Sequence, residues 1–311
     1  MGIDCISTKN IIFAPTKPLF CFKTLDQHQD KVVSLIELSS GKIATGSYDK
    51  TIKIWNIKKF ECEMTLNEEG NVFCLLEFEP NLLLSGTDKN TIQLWDINNN
   101  KNNYLKKFEG HTLWVNGLVK CNDKYFASCS NDEDIRIWNF TTLKCENILK
   151  GHSDCVLCLI NLMDGKLCSG SSDCSIKIWD WEKNICELTL EDNKDWIKCL
   201  YQLKNGYILS GLNDGTIKIW EKDKNTYNLF GHLGSIRGFC QINDQYFASS
   251  SFDKTIKIWD INNMKCINTL KGHKSNVIGI IFINNYLISC SNDKTIKFWK
   301  NSNTVYESQN N

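Results

Sequence analysis

A short phrase ending in tryptophan recurs seven times along the 311-residue chain, and no other feature limits the possible folds as tightly. It reads GSYDKTIKIW at Trp55, GTDKNTIQLW at Trp95, CSNDEDIRIW at Trp138, GSSDCSIKIW at Trp179, GLNDGTIKIW at Trp220, SSFDKTIKIW at Trp259 and CSNDKTIKFW at Trp299. Successive tryptophans lie 40, 43, 41, 41, 39 and 40 residues apart. A period of this length signals a repeat architecture, in which each unit can bury its apolar faces only against its neighbours. Within a unit, short apolar stretches alternate with turn residues, as in VLCLINL, KLCSGS, SIKIWD and CELTL between His152 and Leu190. Four strands to a unit and seven units predict an all-β fold, a seven-bladed β-propeller of four-stranded antiparallel blades closed into a ring without a long open edge.

Closure needs one strand from elsewhere, because the last unit lacks a clear fourth strand. FCFKTL at 20–25 looks like the stretch that ends other units, such as CINTL at 266–270 and CELTL at 186–190. Residues 19–25 are therefore expected to complete the final blade, joining both ends of the chain in one sheet. TVYES at 304–308 is the rival for that edge. The expected layout is an N-terminal extension over 1–18, the propeller over 19–303 and a C-terminal tail over 304–311.

All five histidines, His28, His111, His152, His232 and His273, stand 26 or 27 residues before a repeat tryptophan. A Ser or Thr lies ten before it in all seven units, at Thr45, Ser85, Ser128, Ser169, Ser210, Ser249 and Ser289. An Asp lies six before it in six, at Asp49, Asp132, Asp173, Asp214, Asp253 and Asp293. In these spacings the chain resembles the Trp-Asp (WD) repeat family over roughly residues 19–300. The dipeptide that names the family is intact only at Trp95-Asp96, Trp179-Asp180 and Trp259-Asp260, so spacing carries the resemblance. The resemblance implies buried hydrogen-bonded tetrads of His28, Thr45, Asp49 and Trp55; His111, Ser128, Asp132 and Trp138; His152, Ser169, Asp173 and Trp179; His232, Ser249, Asp253 and Trp259; and His273, Ser289, Asp293 and Trp299. Ser, His and Asp together also suggest nucleophilic catalysis. A set repeated around a ring reads instead as a fastener that satisfies buried polar atoms. Two units depart: Glu68 and Lys89 stand at the His and Asp positions of the second, with Asp88 displaced by one, and Asn193 replaces His in the fifth. These blades are expected to be looser.

Thirty-six Lys plus Arg against 36 Asp plus Glu leave no net charge to draw the whole protein toward nucleic acid or anionic lipid. The 16 cysteines are scattered, mostly in apolar runs where a thiol acts as a small hydrophobe, and are read as reduced. No run approaches membrane length and the first residues, MGIDCISTK, carry no apolar stretch of signal-peptide length, so a cytosolic or nuclear location is expected. Gly2 opens an N-myristoylation pattern and Cys5 lies near it, but Ile6 stands where that pattern wants Ser or Thr, so acylation is not expected. Cys155 and Cys158 have a C-x-x-C spacing inside a strand-like run, where alternation would turn them to opposite faces, so no metal is expected. No phosphate-cradling loop, metal motif or catalytic residue stands out, and no cofactor or small-molecule substrate is expected. The lysines of the repeated phrase, such as Lys53 and Lys257, read as aliphatic stems with their charge led to water.

The resemblance implies that one rim of the ring, formed by the loops entering each first strand and by the turns between second and third strands, is the usual docking surface. Tyr48 and Phe252 precede the turn Asp on that rim. Lys31, Asn71, Trp114, Cys155, Trp196, Ser235 and Asn276 come before the first strands, and Phe73, Asn116, Lys198, Arg237 and Ile278 just inside them. Tyr48, Phe73, Trp114, Asn116, Trp196, Lys198, Arg237 and Phe252 are the candidate partner-binding residues, because Trp, Tyr and Arg most often anchor interfaces. Arg237 or Lys198 could meet an acidic or carbonyl group. Asp88 with Asn131, Asn213 and Asn292 could meet a basic one, and the sequence leaves the sign open. The expected function is a non-catalytic scaffold or substrate-recruiting subunit of a protein complex, taking a peptide or protein loop. Nucleic-acid association is the alternative, and an enzyme with its site in the channel ranks behind both.

Overall fold

The computed structural model describes residues 15–98, 104–191, 193–221 and 224–301. Seven four-stranded antiparallel sheets follow one another along the chain, and no helix occurs among the described residues. Six blades are contiguous, over 32–67, 72–108, 115–149, 156–190, 197–229 and 236–271. The seventh takes three strands from 277–301 and its fourth from the N-terminus. That strand, β1 (Leu19–Leu25), pairs antiparallel with Ile296–Asn301, with Leu19 opposite Asn301 and Leu25 opposite Ile296. It fills the fourth-strand position; TVYES at 304–308, most of the N-terminal extension and the tail lie outside the described residues. Ahead of β1, the Asn268 amide of blade 6 donates to the Pro15 carbonyl at 3.1 Å.

The core is divided into seven interfaces between blades. Leu38, Ala44, Ile52, Ile54 and Leu66 of blade 1 pack on Val72, Leu75, Leu83 and Trp95 of blade 2, and the other interfaces repeat this plan. Where the ring closes, Leu25 of β1 joins Ile278, Ile288, Ile296 and Phe298 against Val32, Leu35, Ile43 and Trp55. All seven repeat tryptophans are buried. Burying a Leu, Ile or Phe fully is worth about 1.5–3 kcal/mol, so each interface holds many times what one hydrogen bond supplies.

One layer of these interfaces obeys a rule that appears only once the strands are in register. In every blade a residue of the first strand lies opposite one of the second, and one member of the pair is glycine while the other is Cys or Ser. The pairs are Ser34 with Gly46, Cys74 with Gly86, Gly117 with Cys129, Cys158 with Gly170, Cys199 with Gly211, Gly238 with Ser250, and Gly279 with Cys290. The space admits a single small side chain. A Cβ on Gly117 would lie 2.9 Å from Cys129 Sγ, and one on Gly86 would lie 2.5 Å from Cys74 Sγ and 2.8 Å from Val115 Cγ1 of the next blade.

Candidate protein-docking face

The loops that carry the rim are tied down by side-chain chains of hydrogen bonds. In blades 1, 3, 4, 6 and 7 the Trp indole N–H donates to the Ser or Thr oxygen at 2.8–2.9 Å. That oxygen lies 2.7–2.8 Å from His Nε2. His Nδ1 in turn lies 2.7–2.9 Å from the Asp carboxylate. Because the ionised carboxylate can only accept, the imidazole proton sits on Nδ1 facing it, and Nε2 of the neutral ring accepts the proton of the hydroxyl that receives the indole N–H. Burial holds His152 and His273 below the usual histidine range, in keeping with a neutral ring. Burial alone would raise the Asp carboxyls, but bonds from His and from backbone N–H groups, with the Ser175 hydroxyl added at Asp173, hold Asp132 and Asp173 down to about 2. The same Asp accepts the N–H of the residue after His and, with its second oxygen, the N–H two residues on, as with Gln29 and Thr51 at Asp49. It thereby joins an incoming loop to a tight turn. The residue after the Asp position has a left-handed backbone in all seven blades, at Lys50, Asn90, Glu133, Cys174, Gly215, Lys254 and Lys294, although only one is glycine. In the six blades with an Asp at that position the bonded carboxylate offsets the cost of that conformation, whereas blade 2 adopts it at Asn90 after Lys89.

Blade 2 closes the same chain with a carboxyl. Trp95 Nε1 donates to Ser85 Oγ at 2.9 Å, and Ser85 Oγ donates to Glu68 Oε1. Burial pushes the Glu68 carboxyl up to about 7, against the Ser85 bond that favours the anion. In blade 5, Trp220 still donates to Ser210 at 2.8 Å, while Asn193 reaches only the Leu190 carbonyl and its Oδ1 is buried without a partner among the described residues.

Inside the rim, a β-bulge in the first strand of every blade displaces one residue from the ladder. The register shifts fall between Val32/Ser34, Val72/Cys74, Val115/Gly117, Val156/Cys158, Ile197/Cys199, Ile236/Gly238 and Val277/Gly279. A bulge re-aims the extra side chain. The seven displaced residues are Val33, Phe73, Asn116, Leu157, Lys198, Arg237 and Ile278, and all except Lys198 line one cavity of about 360 Å³ together with Lys31, Tyr48, Phe252, Asn276 and Asn292. Sequence alignment of the units found five of the seven; Val33 and Leu157 sit in apolar runs that give no sign of facing a cavity.

Of the eight candidate binding residues, five line this cavity: Tyr48, Phe73, Asn116, Arg237 and Phe252. Trp114 adjoins it through a stacked contact with Phe73 at 5.3 Å, and Phe73 meets Tyr48 edge-on at 5.4 Å. Trp114 is 46% exposed and Trp196 44%, large values for indoles. Lys198 Nζ lies 4.3 Å from the Trp196 ring centre, and the Arg237 guanidinium 5.4 Å from that of Phe252. Burial first, and then the nearby Arg237 charge, push Lys198 below the usual lysine range. Asn116 is fixed by bonds to Asn131 Oδ1 and the Val156 carbonyl.

Two expectations are corrected. Cys155 precedes its strand, Val156–Asn161, and the bulge at Leu157 breaks the alternation used to separate it from Cys158, whose thiol turns toward the Gly170 and Ile197 carbonyls. The phrase lysines are not simply led to water, since Lys53 and Lys257 donate to Thr65 and Thr269 of the fourth strand at 3.0 Å. No group of three or more His, Cys, Asp or Glu that could hold a metal occurs among the described residues.

The WD domain, G-beta repeat profile matches residues 19–56, 102–139, 143–180, 184–221, 223–260 and 264–300. The chain belongs to the WD repeat family. The unmatched stretch, 57–101, contains the Glu68 and Lys89 departures, so the one blade missed by the WD repeat profile is the one built on a carboxyl. An uncharacterized WD repeat-containing protein of Schizosaccharomyces pombe is 36% identical over 32% of this chain and 28% of its own length. Ribosome biogenesis protein YTM1 of Debaryomyces hansenii is 35% identical over 32% of this chain and 22% of its own. WD repeat-containing protein pop2 of Schizosaccharomyces pombe is 27% identical over 42% of this chain and 23% of its own. The matched part is thus less than a third of each relative.

Proposed function

We propose that the chain is a non-catalytic binding subunit that takes a peptide or protein loop at the mouth of its channel and so holds or recruits proteins within a larger complex. The observation that carries this reading is the bulge at the same place in every blade, which turns side chains of six of the seven blades toward one aromatic-walled mouth. Concave sites with apolar walls and a few placed polar groups are where ligands bind. Exposed indoles beside such a mouth supply interface anchors at small entropic cost. WD repeat relatives, among them a ribosome biogenesis protein, agree with a role in assembly. Fifteen free cysteines among the described residues suit a reducing compartment, cytosol or nucleus.

The test is affinity capture from the native cell with mass spectrometry, comparing wild type with a Trp114→Ala/Trp196→Ala/Phe252→Ala triple variant. Specific partners should disappear while the melting temperature holds. An unchanged partner list would move the docking surface to the sides or bottom of the ring.

A further inference from the structure

The charge that the mouth reads follows from how its ionic groups are paired. Arg237, one of the chain's two arginines, projects from a bulge into the cavity and has no ion-pair partner among the described residues. Its Nε is buried with no hydrogen bond among the described residues. Lys198, on the neighbouring blade's bulge, is near enough to feel the Arg237 charge and has no ion-pair partner either. Among the seven bulge residues, two are cations and none is an anion. Two half-buried like charges side by side repel each other and lack the hydration they would have in water.

The groups that could read a basic ligand are differently placed. Asp88 Oδ1 accepts the Asn71 N–H at 2.9 Å, Asn131 Oδ1 accepts from Asn116, and Asn213 donates to Asp195. Asp30, Asp154 and Asp195 each accept the N–H of the next residue, fastening their own loops at the rim. Asn292 is the exception: it lines the cavity with Oδ1 buried and unpartnered, an acceptor suited to a ligand backbone N–H.

Resting on the docking role above, we propose that the mouth takes a protein segment bearing an Asp or Glu side chain, whose carboxylate is received by the Arg237 guanidinium with Lys198 beside it. The planar guanidinium fork matches a carboxylate with two parallel bonds, which a lysine cannot do. Tyr48, Phe73 and Phe252 pack the residues on either side of the acid, and Asn292 takes a backbone N–H.

The test is an array of nonapeptides with Glu, Gln or Lys at the centre and randomised flanks, probed with the full chain, with Arg237→Gln, with Arg237→Lys and with Phe73→Ala/Trp114→Ala. Wild type should retain Glu-centred over Gln-centred peptides by about tenfold, the worth of one charge-assisted bond. Arg237→Gln should bring that ratio near one, with Arg237→Lys between. Preference for Lys-centred peptides, or a Glu preference unchanged by Arg237→Gln, would overturn the proposal while leaving docking intact, provided that binding still depends on Phe73 and Trp114. If no binding depends on Phe73 and Trp114, the docking reading fails as well. Melting supplies a second readout. A charge kept for a ligand and unpaired in the free protein is a stability cost, so Arg237→Gln should melt at or up to about 2 °C above wild type. A fall of several degrees would make Arg237 a packing residue and sink the assignment.

Discussion

Glu68→Gln in blade 2 should make the protein more stable at pH 8 and not at pH 4.5. The carboxyl is 7% exposed, accepts from the Ser85 hydroxyl that also receives the Trp95 indole, and is pushed from 4.5 up to about 7 by burial. Its folded value is raised, so its contribution to stability is fully present below pH 4.5, is lost as pH rises through about 7, and stays lost above that. The difference corresponds to about 3 kcal/mol favouring a neutral group at pH 8. Gln keeps an acceptor for Ser85, but its amide replaces the Oε2 that accepts the Glu69 N–H at 3.2 Å, a loss of about 1 kcal/mol. The net gain at pH 8 is therefore about 2 kcal/mol, or about 3 °C in Tm for a chain of this size. At pH 4.5 only the loss remains, and the variant should melt slightly below wild type. Urea and thermal melts of both proteins at half-unit steps from pH 4.5 to 8 should show the two curves crossing. A constant deficit across that range would mean that the fold uses the carboxylate as an anion, and the reasoning would be refuted.

Asp173→Ala removes the acceptor of His152 Nδ1, the Ser153 N–H and the Ser175 N–H and hydroxyl, and should cost about 1–3 kcal/mol at pH 7. Because the folded carboxyl is held at about 2, below its ordinary 3.8, this contribution is present above pH 4 and lost toward pH 2. Urea melts at pH 7 and 2.5 should show the deficit shrinking, and an unchanged melting temperature at pH 7 would deny Asp173 its fastening role. In the small-residue layer, Gly117→Ala meets Cys129 Sγ at 2.9 Å and otherwise only the neighbouring Leu159 at 3.7 Å or more. It should cost about 1–3 kcal/mol, as should Cys129→Ala, while the double variant should recover about 1 kcal/mol relative to their sum. Strict additivity in the melts of this cycle would mean that the pair does not share one space.

What could be read from the sequence, and what could not, divides along a physical line. The seven tryptophans and the polar residues placed ten, six and about 27 positions before them stand at nearly fixed offsets within one unit, so the blades and their hydrogen-bond chains show in a single strand of text. β1 was legible for the same reason, since FCFKTL repeats the apolar spacing of other fourth strands. A β-bulge leaves no such trace, because the extra residue at Val33 or Leu157 continues an apolar run, and only the lost ladder partner shows that it faces the cavity. The cysteines are the clearest case. Read one at a time, Cys74, Cys129, Cys158, Cys199 and Cys290 are scattered small hydrophobes, two of them in second strands and three in first strands. Paired across the sheet with Gly86, Gly117, Gly170, Gly211 and Gly279, they occupy one layer, and what stays fixed from blade to blade is the volume of the pair. Close packing constrains that sum and leaves open which strand supplies the side chain. The rule therefore belongs to two positions 11 or 12 residues apart, and the second-strand glycine of blades 1, 2, 4 and 5 can give way to Ser or Cys in blades 3, 6 and 7 because the first strand there gives up its own side chain.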